Sequence, residues 1–194
     1  MPKISIILPT LRTTNALDCI HSIEVNSYTN YEIIIVSSQD VITYLRGSNC
    51  NLSTIKFVTD FKQIGTTYAI NLGLKVASGE YIVTLSDDSR PCPHWDDHMI
   101  KFLEAQPKDH IVLGNFRVFD STGEMPAIGY YGRQFSMFPI LSKENLDILG
   151  TYFSEDFNAF YSDPDLGMRV INLAILKRVK QVLFIILIIL IYYI

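Results

Sequence analysis

Short runs of β-branched residues alternate with helix-like segments along most of the chain, and this alternation restricts its fold more than any other feature. The strand-like runs lie at residues 4–8, 31–36, 54–59, 81–85 and 111–119. They are short and rich in Ile and Val, as expected of strands that are buried within a sheet. Strands that alternate with helices predict an α/β fold, a single domain in which a mostly parallel, Rossmann-like sheet is flanked by helices.

Helical periodicity appears between these strands. Apolar residues recur every three positions over 17–23 and predict a first helix, with side chains that can cap it at 13–15. The segment 65–77 has the clearest helical pattern, and we expect Gly79 to cap its C-terminus. Another helix is expected to begin at Pro93, because proline is well suited to the first turn of a helix.

The pattern weakens after residue 120. Residues 120–139 combine glycines and the pair Tyr130-Tyr131 with polar residues, which predicts a long functional loop or an irregular hairpin. Beyond it, Ser142 is a candidate cap for a short helix that Gly150 would end.

Length and composition narrow the class of protein. The 194 residues carry a formal net charge of −4, with 48% hydrophobic and 19% charged residues. Such a chain buries a core and is not disordered, and its mild acidity argues against nucleic acid as a partner. Cys19, Cys50 and Cys92 form no CxxC pair and follow no signal peptide, so we expect a reducing, cytoplasmic location.

An unbroken apolar run begins at Val182 and continues to Ile194, so we divide the chain into a domain at 3–170 and a tail at 171–194. As a helix, its 13 residues would reach roughly 20 Å, short of the roughly 30 Å hydrocarbon core of a bilayer. The basic segment 177–180 precedes the run and suits anionic headgroups, which favours a tail on a membrane surface. The alternative is a truncated reading frame whose tail packs on the core or hangs loose.

Candidate ligand-binding residues stand where the predicted strands stop, because ligands bind at the carboxyl ends of strands in an open parallel sheet. These ends are Pro9-Thr10, Ser37-Ser38 and Ser86-Asp87-Asp88. Adjacent carboxylates at Asp87 and Asp88 would repel each other unless a cation lies beside them. Mg²⁺ or Mn²⁺ fits, since it binds one or two carboxylates together with water and phosphate. Such a site is suited to holding a departing diphosphate.

Six segments in chain order share their pattern with one known family. They are 4–10, 31–36, 65–73, 77–82, 85–88 and 150–169. The segment 85–88 looks like a DxD metal-binding motif, and the run from Asp163 to Arg169 looks like the acceptor-side motif ED-x-D-L-x-x-R. Over about residues 3–170 the chain resembles family 2 glycosyltransferases, which have the GT-A fold and transfer a sugar from a nucleotide donor with inversion. We expect this chain to be shortened at its C-terminus relative to that family.

The resemblance implies a nucleotide-sugar donor held by residues near the strand ends. The implied donor-binding residues are Pro9, Thr10, Ser37, Gly65, Ser86 and Asp87. Pro9, Thr10 and Ser37 would line the nucleoside pocket, and Ser86 and Asp87 would lie near the ribose. Asp88 would ligate Mn²⁺ or Mg²⁺. Ser37 and Ser86 stand where the family usually has Asp.

The resemblance also implies an acceptor side. Asp163 matches the carboxylate that acts as general base on the acceptor hydroxyl, which would belong to a glycan, a lipid or a polysaccharide. Asp165 and Arg169 would support the loop that carries it. The alternative function is a shortened, catalytically silent GT-A domain that binds a nucleotide sugar or is tethered to a membrane.

Simpler interpretations exist for the charged residues. Asp87-Asp88, and separately Asp163 with Asp165, are individually typical of turns or helix caps. Arg12 would contact donor phosphates or form an ordinary salt bridge, and the same choice holds at position 90.

Two further groups have both a functional and a packing interpretation. Cys92, His94 and His98 suggest zinc ligands, but no other Cys or His group completes a set of four, which favours a surface or packing role. Tyr130-Tyr131 would stack on an acceptor sugar or pack within their loop, and packing is favoured.

Overall fold

The computed structural model of the chain describes residues 1–107, 111–120, 123–125, 138–158, 161–177 and 182–193. The strands are β1 (Ile4–Pro9), β2 (Tyr31–Ser37), β3 (Ile55–Thr59), β4 (Tyr81–Thr84), β5 (Ser89–Pro91), β6 (Ile111–Asp120), β7 (Gly123–Met125), β8 (Ile140–Ser142) and β9 (Val182–Tyr193). The helices are α1 (Thr13–Asn26), α2 (Gln39–Arg46), α3 (Thr66–Leu74), α4 (Trp95–Glu104), α5 (Lys143–Leu149) and α6 (Ser162–Lys177).

All these strands belong to one sheet, in the order β3-β2-β1-β4-β8-β6-β9-β5, with β7 paired to β6. The first four strands of this order are mutually parallel. Strand β8 runs antiparallel to both β4 and β6. Helices pack against the sheet, so the predicted α/β fold is confirmed.

Alternate residues of β1 point to opposite faces of the sheet, and both faces are buried. Ile4, Ile6 and Leu8 pack with apolar residues of α1 and α4, among them Trp95. Ile7 packs on the other face with residues of α3, α5 and α6. Burying each such side chain contributes roughly 1.5–3 kcal/mol, so this run of β-branched residues forms the centre of the fold.

Two predicted caps are wrong. Helix α3 ends at Leu74, five residues before the expected cap Gly79. Gly79 has another structural role, because a Cβ atom there would lie 2.5 Å from the backbone nitrogen of Ser5 in β1. At the start of α1 the cap position is Arg12, and residues 13–15 are already helical.

Other predicted helix boundaries are confirmed. The Ser142 hydroxyl accepts a hydrogen bond from the backbone N–H of Asn145 at 3.1 Å, and Gly150 caps the C-terminus of α5 with a φ of +81°, which glycine readily adopts. The helix expected from Pro93 begins slightly later, at Trp95. Helix α2 follows β2 directly and was not among the predicted elements.

The apolar C-terminal run is a strand in the structure. Strand β9 runs parallel to β6 along most of its length and pairs with β5 in the antiparallel sense near its end. Of the alternatives for the tail, the one in which it packs on the domain agrees with this pairing. Arg178 and Lys180 lie outside the described residues, as do Tyr130 and Tyr131.

Within the described part of the chain, no helix is both long enough and apolar enough to cross a membrane.

Candidate functional site

A cavity of about 650 Å³ opens at the carboxyl ends of the parallel strands. The predicted site residues that line it are Pro9, Thr10, Ser37, Gly65, Ser86, Asp87 and Asp163. The predicted residues that do not line it are Asp88, Asp165 and Arg169. The fold therefore brings residues separated by up to 154 positions, from Pro9 to Asp163, to one cavity.

Hydroxyl groups tie the ends of β1, β2 and β4 together. The Thr10 hydroxyl donates to Asp87 Oδ2 at 2.6 Å, and the Ser37 hydroxyl donates to the carbonyl oxygen of Thr10 at 2.5 Å. Asp87, Thr10 and Ser37 are all buried. These bonds connect the ends of three strands that line the cavity.

Arg12 neutralises part of the acidic pair. Its Nε donates to Asp87 Oδ2 at 3.1 Å, while its Nη2 contacts both Asp87 Oδ1 and, at 2.9 Å, Asp88 Oδ2. The Ser86 hydroxyl donates to the other oxygen of Asp88. Hydrogen bonds to the two carboxylates raise the pKa of the Arg12 guanidinium. Of the two interpretations of Arg12, the salt bridge is the one present in this structure.

The donor set around Arg12 suits a hard divalent cation. Both carboxylates contact one positively charged nitrogen, so Asp87 and Asp88 jointly hold the guanidinium of Arg12. No cluster of three or more Asp, Glu, His or Cys side chains suited to a metal occurs within the described residues. Mg²⁺ or Mn²⁺ would therefore take its remaining ligands from water and phosphate, as these ions commonly do.

The end of β3 supplies a wall of the cavity that sequence reasoning missed. Asp60 is buried, and its Oδ1 accepts hydrogen bonds from the backbone N–H groups of Lys62 at 3.0 Å and Gln63 at 2.9 Å. The backbone N–H of Asp60 donates to the Ser37 carbonyl at 2.8 Å. Asp60 directly follows β3, so the rule that pointed to Ser37 points equally to it.

The start of α3 completes this wall. Gly65 has a φ of +136°, and a Cβ there would lie 2.5 Å from the backbone oxygen of Asn158. The same oxygen accepts a hydrogen bond from the backbone N–H of Thr67 at 3.2 Å. The Thr67 hydroxyl is buried and has no hydrogen-bond partner among the described residues. Glycine at position 65 thus lets the 151–158 segment pack directly against α3.

Asp163 reaches the cavity from the first turn of α6. Burial raises the pKa of its carboxyl group above the usual value, although a hydrogen bond with its own backbone opposes the shift. A carboxylate with a raised pKa is a better proton acceptor, because it holds the transferred proton more strongly.

Asp165 and Arg169 do not line the cavity and instead contact each other. Arg169 Nε donates to Asp165 Oδ2 at 2.8 Å, one helical turn away. Its two terminal nitrogens donate to the carbonyl oxygens of Thr151 at 2.9 Å and Tyr152 at 2.7 Å. The pair therefore joins α6 to the segment after α5, which contributes Phe153 to the cavity lining.

The side chains of the other suggested sites make local contacts within the protein. Arg90 forms the ordinary salt bridge that was one of its two interpretations, with Asp18 Oδ2 at 3.2 Å, and also donates to the carbonyl oxygens of Asp87 and Ser89. The His94 ring stacks on Tyr28 with centroids 3.8 Å apart, which is a packing role. Cys19, Cys50 and Cys92 are free thiols.

Sequence comparison finds relatives of one kind. The sequence model described as Glycosyl transferase family 2 matches residues 5–162. An uncharacterised glycosyltransferase of Rickettsia felis is 28% identical over 159 residues, which are 76% of this chain and 24% of that protein. The glycosyltransferase GlyG of Streptococcus pneumoniae is 30% identical over 128 residues, or 61% of this chain and 40% of GlyG. The chain thus spans less than half the length of these curated relatives.

Solved structures with a similar fold are GT-A glycosyltransferases. Staphylococcus aureus TarS superposes with a TM-score of 0.72 at 16% identity, over 98% of this chain and 36% of TarS. The mannosyltransferase PcManGT of Pyrobaculum calidifontis, solved with GDP-Man and Mn²⁺, superposes with a TM-score of 0.68 at 16% identity. That match covers 97% of this chain and 56% of PcManGT. At such identities the likeness concerns the fold.

Proposed function

Since the chain belongs to Glycosyl transferase family 2 and has the GT-A fold, we propose that it transfers a sugar from a nucleotide-sugar donor to a hydroxyl acceptor with inversion. One observation carries this proposal. Asp87, which is adjacent to the proposed cation ligand Asp88, and Asp163, a carboxylate with a raised pKa, line the same cavity. Inverting transfer needs a site for the departing diphosphate and a base for the acceptor within one cavity.

The donor would lie along the strand ends. Pro9, Thr10 and Ser37 line the part of the cavity at β1 and β2, where we place the nucleoside. Asp88, with Asp87 beside it, would hold Mg²⁺ or Mn²⁺. The bound cation would neutralise negative charge that develops on the diphosphate leaving group. The nucleotides bound to similar folds, UDP in TarS and GDP-Man in PcManGT, support a donor of this class.

Asp163 would act on the acceptor. Its carboxylate takes the proton of the acceptor hydroxyl while the hydroxyl oxygen bonds to the anomeric carbon of the sugar. The bond between that carbon and the donor phosphate oxygen breaks, and its electron pair leaves with the nucleoside diphosphate. Attack opposite the leaving group inverts the anomeric centre. The acceptor would be a hydroxyl of a glycan or a lipid.

The cellular setting is a separate proposal. We retain a cytoplasmic location, where nucleotide sugars are available, as the working hypothesis. Membrane contact through residues 182–194 also stays a prediction. In the structure the run 182–193 is already paired with β6 and β5.

Calorimetry tests the proposed donor site. UDP-, GDP- and dTDP-sugars are titrated into the protein with Mn²⁺, and into the variants Asp88→Ala and Asp147→Ala. We expect one class of nucleotide sugar to bind the wild type, and at least about tenfold weaker binding by Asp88→Ala, which loses a ligand of the cation. Asp147→Ala removes an exposed carboxylate on α5 and should bind as the wild type does.

Two results would contradict the proposal. Absence of binding by any nucleotide sugar with metal present would reject the donor site. Binding without transfer to any of a panel of glycan and lipid acceptors would favour the catalytically silent binding module instead.

A further inference from the structure

We propose that Arg12 is a built-in counter-ion of the acidic pair, which a divalent cation must displace from Asp88 before it binds there. The inference rests on the proposed function, because it concerns how the cation site of a nucleotide-sugar transferase is filled. It assigns to Arg12 a positioning and regulatory role that the motif residues alone do not indicate.

The first support is that the guanidinium occupies the point on which both carboxylates converge. Nη2 of Arg12 contacts Asp87 and Asp88 together, and Nε makes a further bond to Asp87. A divalent cation held by Asp88 beside Asp87 would need the same position. Arg12 and the cation therefore compete for one place.

The second support is that hydroxyl groups hold the carboxylates independently of the Arg12 side chain. The Thr10 hydroxyl donates to Asp87 at 2.6 Å, and the Ser86 hydroxyl donates to Asp88. The side chain of Asp87 is 5% exposed and that of Asp88 is 16% exposed, whereas that of Arg12 is 54% exposed. The arginine is thus the member with room to move, and the acidic pair would keep its position after the arginine left.

Charge explains why the exchange would be linked to the nucleotide. Two carboxylates and one guanidinium leave a single negative charge. The positive guanidinium of Arg12 repels a divalent cation that approaches the same carboxylates. Replacing Arg12 by the divalent cation makes the pair neutral. The released guanidinium stays at the cavity, where its fork of N–H donors matches a phosphate group. Phosphate binding would then compensate for the lost ion pair.

Direct measurement of Mn²⁺ binding to the nucleotide-free protein tests the exchange. Free Mn²⁺ is followed by electron paramagnetic resonance in titrations of the wild type, Arg12→Gln, Arg12→Lys and Arg46→Gln. We expect Arg12→Gln to bind Mn²⁺ roughly tenfold more tightly than the wild type, since the competing charge is gone. Arg12→Lys keeps the positive charge but lacks the forked guanidinium. Its affinity for Mn²⁺ should therefore lie between those of the wild type and Arg12→Gln.

Arg46→Gln is the matched control. Arg46 is exposed at the end of α2 and stacks on Phe57, so this variant loses the same charge away from the cavity. It should bind Mn²⁺ as the wild type does. A thermal melt gives a second measure, in which Mn²⁺ should raise the Tm of Arg12→Gln more than that of the wild type, because it replaces a lost counter-ion of buried Asp87.

The results separate this inference from the proposed function. Equal or weaker Mn²⁺ binding by folded Arg12→Gln would overturn the inference, even if nucleotide sugars bind the wild type. Failure of every nucleotide to bind would overturn the proposed function. With Mn²⁺ saturating, UDP or GDP should bind Arg12→Gln more weakly than the wild type, and unchanged affinity would contradict the phosphate contact.

Discussion

A carboxylate lies at each end of the parallel strands, the buried Glu32 at the amino ends and the half-buried Asp163 at the cavity, and the two differ in their partners. At the amino ends, Glu32 accepts hydrogen bonds from the hydroxyl of Ser5 at 2.6 Å and from the backbone N–H and hydroxyl of Ser78 at 2.7 and 2.9 Å. It also pairs with Lys56 at 2.5 Å. Burial alone would raise the pKa of Glu32, but the bonds to Lys56, Ser5 and Ser78 lower it overall.

At the carboxyl ends, Asp163 has no comparable set of partners among the residues that the structure describes. Burial raises its pKa, and the opposing bond comes only from its own backbone. A saturated carboxylate such as Glu32 stabilises the fold, because its charge is compensated within the protein. Asp163 keeps its capacity for a proton and a ligand. We therefore propose a structural role for Glu32 and a chemical role for Asp163.

The largest effect is expected from Asp163→Asn. Sugar transfer should fall on the order of 10²–10⁴-fold, since the amide cannot accept the acceptor proton. Nucleotide-sugar affinity and the free energy of unfolding should stay within about twofold and about 0.5 kcal/mol of the wild type. Steady-state transfer assays, calorimetry and urea denaturation measure the three quantities.

Asp147→Asn serves as control for this experiment, because Asp147 is an exposed carboxylate outside the cavity. It should transfer at the wild-type rate. Unimpaired transfer by Asp163→Asn would remove Asp163 from the role of base and end the contrast with Glu32.

Glu32→Gln should show the converse behaviour. The amide directs N–H groups at Lys56 or at the Ser5 and Ser78 donors, so we expect the free energy of unfolding to fall by about 2–4 kcal/mol. Affinity for nucleotide sugars in the folded protein should be unchanged. Lys56 is the half-exposed ion-pair partner of Glu32, and Lys56→Gln should lower the free energy of unfolding by less than about 1 kcal/mol. A change in donor affinity without a change in unfolding would break the comparison.

The smallest effect is a pH dependence of opposite sign at the two carboxylates. Because the folded pKa of Glu32 is lowered, its contribution to stability is present above its usual value of 4.5 and is lost as the pH falls. Because the folded pKa of Asp163 is raised, its ionisation costs stability as the pH rises from 3.8 through the raised pKa.

Urea denaturation from pH 3 to pH 7 compares the wild type with Glu32→Gln and Asp163→Asn. On acidification, the free energy of unfolding should fall less in Glu32→Gln than in the wild type. As the pH rises, the free energy of unfolding of Asp163→Asn should increase slightly relative to that of the wild type. The acid limb of the transfer rate should lie above pH 3.8, since Asp163 must be ionised. Parallel curves for all three proteins would refute the assignment.

Much of the fold is predictable from local patterns. The runs that became β1, β2 and β4 are β-branched and end at Pro, Ser or Asp, so both their type and their limits are visible in the sequence. Helix α2 is harder to predict, because its eight residues bury only Ile42 and Leu45. Strand β9 is ambiguous for another reason, since an unbroken apolar run has no periodicity that distinguishes strand from helix.

The residues of the site also differ in how far the sequence predicts them. Residues directly after a strand, such as Ser37 and Asp87, follow from the rule for parallel sheets, and Asp60 follows from it equally. Thr67 reaches the cavity only because α3 packs where it does. The contact of Arg12 with the acidic pair joins residues 75 positions apart, and no local pattern reveals it.

One measurement tests the contrast between the two ends most directly. Mn²⁺ with UDP, and separately with GDP, is added to ¹⁵N-labelled protein, and paramagnetic broadening of each amide signal is recorded. The ends of β1 lie roughly 17 Å apart, and broadening falls steeply with distance. We predict strong broadening at Thr10, Ser86 and Asp88 with either nucleotide that binds, and much weaker broadening at Ser78 and Gly79. Broadening centred on Ser78 and Gly79, or none with either nucleotide, would contradict the account.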